Sequence, residues 1–290
     1  MLIKVTQACS MACTHCMENS LPKDPSMDYP TFVKALKFSA RVEGFSWKRN
    51  GFGTILLSGG ECTEHPEFVK FLESAMRFQE HVAKQGVVVM IMLITHGKWL
   101  TDPVLRKAIL RPEWPFPRLG VQVTNDPRFY PELVELGEAD PRVQPVDKIG
   151  HLMRLGRGKK LKSTRDGSEL PPESRAPSSF NFRSAVRWYR ELPLAIHSVR
   201  TPRALLVSQG YEGGSTDGKA CSPSILVDGT FVAGETRFCW PIGTIDSTND
   251  EIVKKVLEMG SCNRCGAESN LGQAERRALG LSRLYLPTEK

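Results

Sequence analysis

The sequence contains no apolar run long enough to cross a membrane. Its most apolar stretch, VVVMIMLI from Val87 to Ile94, falls far short of the ~20 residues a helical span needs, and it fits a buried strand. A secretory signal is also missing, since MLIKVTQAC has no basic start followed by a long apolar core and a cleavage site. There is no internal repeat, and no segment interleaves basic and aromatic residues in the way that binds single-stranded nucleic acid. Neither sign of charge dominates: 39 Lys and Arg stand against 32 Asp and Glu, a formal net charge of +7. A balance this mild describes a solvated basic surface and does not by itself require a nucleic-acid partner. With no export signal and no membrane anchor, the expected location is the cytoplasm, where thiols stay reduced. Eight cysteines there point to metal or redox chemistry rather than a disulfide framework.

What is present is an ordinary globular composition, 40% hydrophobic and 24% charged, over 290 residues. That suits one large domain, or one domain with a small appendage. Short β-branched runs alternate with longer amphipathic stretches. Strands are expected at 2–6, 54–60, 87–97, 118–126 and 143–147, with a sixth at 203–209. Helices are expected at 28–42, 65–78, 102–110 and 128–136, and again at 179–192. Strand-helix alternation implies a parallel sheet with right-handed crossovers, its strands apolar because both faces are buried. Functional groups then belong on the loops after the strand C-termini. The cysteine loop, Ser58-Gly59-Gly60-Glu61, Thr95-His96-Gly97 and Thr124-Asn125-Asp126 all fall there. Residues 156–180, rich in Lys, Arg, Ser and Pro, interrupt the pattern and read as a basic flexible loop. From about Tyr211 the character changes. SILVDGTFVAG signals a hairpin with a type I′ turn at Asp228-Gly229. STNDEIVKKVLEMG signals a helix with a Thr248/Glu251 capping box and Gly260 as its C-cap. The expected division is 1–210 and 211–290.

The stretch ACSMACTHCMEN places Cys9, Cys13 and Cys16 in C-x3-C-x2-C spacing with no fourth cysteine nearby. Three thiolates can hold three irons of a [4Fe–4S] cube and leave the fourth iron open to a ligand. A zinc loop or plain buried cysteines are the alternatives. A C-x3-C-x2-C loop directly after a first strand resembles the signature of the radical S-adenosylmethionine (radical SAM) superfamily. The resemblance implies an α/β fold, a partial (β/α)6 barrel, and reductive cleavage of SAM to a 5′-deoxyadenosyl radical that abstracts hydrogen from a substrate. It implies Cys9, Cys13 and Cys16 as cluster ligands and His15 near the adenine. Ser58, Gly59, Gly60 and Glu61 look like the family's Gly-Gly-Glu segment, which receives the SAM amino group. Thr95 sits where relatives carry Thr-Asn-Gly, with His96 a departure, and Thr124 and Asp126 sit where relatives approach the ribose. Arg157 resembles a Gly-Arg element that could meet a carboxylate, or it belongs to the basic loop. Cys62 is read as a buried neighbour of the site, not a ligand.

Cys221, Cys239, Cys262 and Cys265 form a second set. On bond chemistry alone a four-cysteine zinc site is open. The spacing, with a hairpin between the first two and a helix before C-x2-C, resembles the SPASM/twitch auxiliary domain of some radical SAM enzymes. That resemblance implies a second, fully ligated auxiliary [4Fe–4S] cluster in a small hairpin-plus-helix domain. A cluster with no open iron can accept an electron, so a net oxidation is expected, either dehydrogenation of a small hydroxylated molecule or modification of a peptide or protein side chain. The first strand begins at Leu2, so no leader-recognition domain is expected to precede it. A flavodoxin- or ferredoxin-type donor would supply electrons. Two other readings remain open. Lys159, Lys160, Lys162 and Arg165 could serve an RNA or other polyanionic substrate. A degenerate site would make the chain a non-enzymatic iron–sulfur protein, against which the intact cysteines and Gly59-Gly60-Glu61 argue. No pattern marks the substrate contacts. Arg187 and Tyr189 are candidates, and Trp240 beside Cys239 reads as cluster packing.

Overall fold

The structure is a computed structural model that describes residues 1–135, 140–147, 157, 161–170 and 223–259. The helix expected at 179–192, the strand expected at 203–209 and the cap at Gly260 lie outside these residues, as do Cys221, Cys262, Cys265, Arg187 and Tyr189.

Five strands form the expected parallel set: β1 (Leu2–Thr6), β2 (Phe52–Gly59), β3 (Val88–Thr95), β4 (Leu119–Thr124) and β5 (Val143–Val146). Helices α1 (Tyr29–Asn50), α2 (Phe68–Ala83) and α3 (Pro103–Ile109) cross between the first four. A hairpin, β6 (Ser224–Ile225) and β7 (Thr230–Val232), is followed by β8 (Pro241–Thr244) and α4 (Asn249–Met259). All eight strands share one sheet, in the order β5-β4-β3-β2-β1-β6-β7-β8. β6 pairs parallel to β1, so the C-terminal hairpin extends the same sheet at the edge that carries the cysteine loop.

The strands are less uniformly buried than their apolar sequences implied. β2 and β3 alternate buried and half-buried positions. Ile55, Leu57, Val89, Ile91, Leu93, Val121 and Val123 are fully buried in the main core, while Ser58, Ile94, Gln122 and Thr124 face a cavity. The period-2 geometry of a strand sends these two sets to opposite faces. On the core side Phe32 of α1 stacks on Phe71 of α2 at 4.3 Å.

Several elements differ from expectation for local reasons. α1 continues past Val42 to Asn50, because buried Trp47 adds a further apolar contact and donates its indole N–H to Glu43 at 3.0 Å. α2 starts at Phe68, after a short 3-10 turn at Cys62–Glu64. No helix forms over 128–135. Pro131 lacks an N–H and disfavours helical geometry at Tyr130, and the Asn125 side chain instead holds both the N–H and the carbonyl of Val134. The hairpin turn is not type I′, which needs positive φ at both central residues. Only Gly229 has it, at 81°, and its N–H bonds the Leu226 carbonyl, giving a loop closed by a left-handed glycine. β8 was not expected, since Pro-Ile-Gly-Thr carries little strand signal; its proline is tolerated at a sheet edge. The described part of the basic loop is anchored rather than free. Arg165 N–H bonds the Arg128 carbonyl at 2.9 Å, and Thr164 is buried against Ser168. Among the described residues no helix is long and apolar enough to cross a membrane.

Candidate functional site

A cavity of about 500 Å³ opens at the C-terminal ends of the parallel strands. Cys9, Cys13, His15 and Cys16 line it from the loop after β1. Ser58, Gly59, Gly60 and Glu61 line it from the end of β2, Thr95 and His96 from the end of β3, and Thr124 from the end of β4. The sheet therefore gathers the expected segments at one rim. Asp126 is the exception. It is fully buried and forms a bidentate pair with Arg128, with contacts of 2.9 and 2.6 Å, and it is not among the cavity's lining residues. Sequence reading missed Glu18, Tyr130 and Glu235, which also line the cavity.

Contacts from distant segments hold the cysteine loop in place. The Gly60 N–H bonds the Thr6 carbonyl and the Glu61 N–H bonds the Ala8 carbonyl, both at 2.8 Å. A Cβ on Gly59 would overlap the Thr6 carbonyl oxygen, and one on Gly60 those of Gln7 and Ala8. These glycines thus let β2 close against the chain's own cysteine loop. Glu64 accepts from Ser10 N–H at 2.9 Å and from Ser10 Oγ at 2.6 Å. Arg157 binds the loop three times: Nε to Cys13 O at 2.8 Å, Nη1 to Ser20 O at 2.9 Å, and its amide to Cys16 O at 2.9 Å. Its guanidinium braces the loop through Nε and Nη1, and Arg157 also lines the cavity. Within the loop Ala12 and Asn19 adopt positive φ, 47° and 54°. Strain of this kind survives only where the surroundings over-determine the backbone.

The electrostatics follow from burial and crowding. Burial, followed by the neighbouring Cys9 and Cys16, pushes the Cys13 thiol up to about 12. Burial lowers His15 to about 4, so its imidazole is neutral; the ring packs 4.9 Å from Phe129 and 5.2 Å from Tyr130. Among the described residues the buried His15 Nδ1 has no hydrogen-bond partner. Burial also raises Tyr130 and Cys62. His96 goes the other way. Burial would lower it, but hydrogen bonds to Cys9 and Glu64 and the charge of Glu61 raise it to about 9. Glu61 is 1% exposed and saturated: Oε1 accepts from Thr63 N–H, Thr63 Oγ1 and Thr95 Oγ1, and Oε2 from His96 N–H at 2.8 Å. It ties the Gly-Gly-Glu segment to the end of β3.

Three thiols on one cavity wall suit a polynuclear iron centre. Among the described residues no three His, Cys, Asp or Glu side chains converge on a single metal ion, whereas a cube takes one thiolate at each of several corners. Burial, then the neighbouring thiols, raise Cys13, and a bound metal would reverse that shift by displacing the proton. Of the second cysteine set only Cys239 is described. It is half-buried on the loop after β7, with its N–H on the Thr236 carbonyl at 3.0 Å.

No protein-family profile matches the sequence, and no curated protein sequence matches it either. Solved structures do align. Native anSMEcpe with bound AdoMet aligns with a TM-score of 0.46 at 14% identity, over 97% of this chain and 95% of that one. The same protein with bound AdoMet and the Kp18Cys peptide gives a TM-score of 0.48 at 15% identity, over 97% and 95%. Its hexahistidine-tagged form with bound AdoMet gives 0.47 at 15%, over 97% and 91%.

Proposed function

We propose that the chain is a radical SAM enzyme. The observation that carries the reading is the meeting of Cys9, Cys13 and Cys16 with Gly59-Gly60-Glu61 on one cavity wall at the C-terminal edge of a parallel sheet. Cys9, Cys13 and Cys16 would hold a [4Fe–4S] cluster there, which with SAM would supply reductive cleavage and a hydrogen-abstracting radical. The chain's own part is positioning. Arg157, Glu64 and the Gly60 and Glu61 amides fix the backbone from which the three thiolates project. Because Glu61 already holds Thr63, Thr95 and His96, backbone carbonyls of the Gly-Gly-Glu segment are left to accept the amino group of SAM. Neutral His15, packed on Phe129 and Tyr130, offers a flat face and an unpartnered nitrogen to the adenine, and Thr124 offers a hydroxyl to the ribose.

The finer reading is a net oxidation of a small hydroxylated molecule or of a peptide or protein side chain. It assigns residues 211–290 as a twitch-like domain whose Cys221, Cys239, Cys262 and Cys265 hold an auxiliary [4Fe–4S] cluster as electron acceptor. A flavodoxin- or ferredoxin-type protein is the electron donor, and the location is cytoplasmic. Iron and sulfide counts on anaerobically reconstituted protein test both clusters. About eight irons per chain in the wild type and about four in a Cys9/Cys13/Cys16 triple-alanine variant support the reading. About four in the wild type with one zinc, and no iron in the variant, removes the auxiliary cluster and the oxidation with it.

A further inference from the structure

The C-terminal hairpin places a carboxylate in the cavity that the proposed function leaves unused. Glu235 lines the cavity from the loop after β7, far along the chain from the cysteine loop. The turn that carries it is fixed. Thr236 is fully buried, and its hydroxyl accepts the Phe238 N–H at 3.2 Å. Arg237 reaches back to the cysteine loop, donating Nη1 to Gln7 Oε1 at 3.1 Å and its amide to Glu18 Oε2 at 3.3 Å, with Asp24 3.7 Å away.

The other carboxylates of the cavity are committed. Glu18 forms a buried pair with Lys4 at 2.6 Å. Glu61 is filled by Thr63, Thr95 and His96. The Arg157 guanidinium bonds the Cys13 and Ser20 carbonyls through Nε and Nη1. Half-buried Glu235 has no hydrogen-bond or ion-pair partner among the described residues. With no donor on them from the described residues, its two acceptor oxygens stay available to whatever enters the cavity.

We propose that Glu235 is the substrate-recognising carboxylate of this cavity and that the substrate presents a cationic amino group to it. The word substrate rests on the radical SAM reading, in which SAM shares the cavity with a second molecule. A carboxylate offers two acceptor oxygens and no donor. An ammonium group meets it with charge-assisted hydrogen bonds, a hydroxyl gains less, and an anion is repelled. SAM is itself a cation, so the alternative owner of Glu235 is SAM's own amino group.

The test uses three probes of one shape: cyclohexylmethylamine, cyclohexylmethanol and cyclohexanecarboxylate. Their affinities are measured by ligand-observed NMR on wild type, Glu235→Gln and Glu235→Asp, each as purified and again iron-loaded with SAM. The amine should bind about tenfold tighter than the alcohol and carboxylate in the wild type, the size of one charge-assisted hydrogen bond. Glu235→Gln should erase that preference and Glu235→Asp should keep part of it. SAM affinity and iron content should stay unchanged in both variants. Equal binding of the three probes, or a preference that survives Glu235→Gln, overturns the proposal. A fall in SAM affinity in Glu235→Gln with no amine preference in the wild type also overturns it and gives Glu235 to SAM. If the wild type takes up neither iron nor SAM, the radical SAM reading fails, and the probe series on the purified protein still scores the amine site.

Discussion

At the scale of single residues, the cysteine loop depends on partners that its own sequence does not contain. Arg157 lies far along the chain, yet it ties the carbonyls of Cys13, Cys16 and Ser20 together. Two of those bonds come from a guanidinium fork that an ammonium group cannot reproduce. Arg157→Lys should therefore lower stability by about 1–3 kcal/mol, the range for a partly buried polar network losing a partner. It should also speed iron loss to a chelator in reconstituted protein. Urea unfolding and anaerobic chelator challenge read the two effects, and an unchanged iron-release rate would remove Arg157 as a strut. The glycines teach a related lesson. Gly59-Gly60-Glu61 was legible as a motif, but its physical reason was not. The glycines are needed because the Thr6, Gln7 and Ala8 carbonyls pass where a Cβ would stand. Glu61, read as a ligand contact, also ties two strand ends together through Thr63, Thr95 and His96, which its sequence neighbourhood does not show.

At the scale of elements, caps and turns decided where the sequence reading succeeded. The Thr248/Glu251 capping box forms as expected, with Thr248 N–H on Glu251 at 2.7 Å and Glu251 N–H on Thr248 Oγ1 at 3.3 Å. α1 begins within one residue of its expected start, capped by Asp28, which accepts the Thr31 N–H at 2.7 Å. The side-chain and backbone hydrogen bonds from Thr31 hold the Asp28 carboxyl below its ordinary value. A depressed carboxylate stabilises the fold above its unfolded-state value, and the contribution is lost as pH falls through the lower folded-state value. Acid titration followed by circular dichroism should therefore show an Asp28-dependent loss of stability below the usual carboxylate range. Asp28→Asn should lack that component while keeping a neutral cap. If the variant and wild type respond identically to acid, the cap carries no linked proton. The helix expected at 128–136 failed at this same scale, because amphipathic spacing was weighed above Pro131 and the Asn125 bridge to Val134.

At the scale of the whole molecule, one buried ion pair joins the sheet, the cysteine loop and the hairpin. Lys4 sits inside β1 with its side chain 2% exposed and meets Glu18 at 2.6 Å, and Glu18 in turn takes the Arg237 amide. Removing one partner strands a buried charge, which costs about 3–5 kcal/mol. Lys4→Met should lower the unfolding free energy measured in urea by that amount, and Lys4→Met with Glu18→Leu should recover part of it. Hydrogen exchange in the single variant should rise in both the cysteine loop and the hairpin turn. A rise confined to β1 would mean that the two are not coupled through Lys4. A lysine amid apolar residues in Leu2–Thr6 was the visible signal of this pair, but nothing local says which acid it meets.

By itself the sequence determined the parallel set of strands, the placing of chemistry on loops after strands, and the three-cysteine loop beside a Gly-Gly-Glu turn. Those follow from periodicity and spacing, which are local. Only the tertiary structure decided that Arg157 braces the cysteine loop, that Asp126 turns away to Arg128, and that Glu235 reaches the cavity from a hairpin paired on β1. Arg157 and Glu235 come to the site from segments far along the chain, which no short window of sequence contains, and Asp126 and Arg128, though near neighbours, are buried together only by the fold.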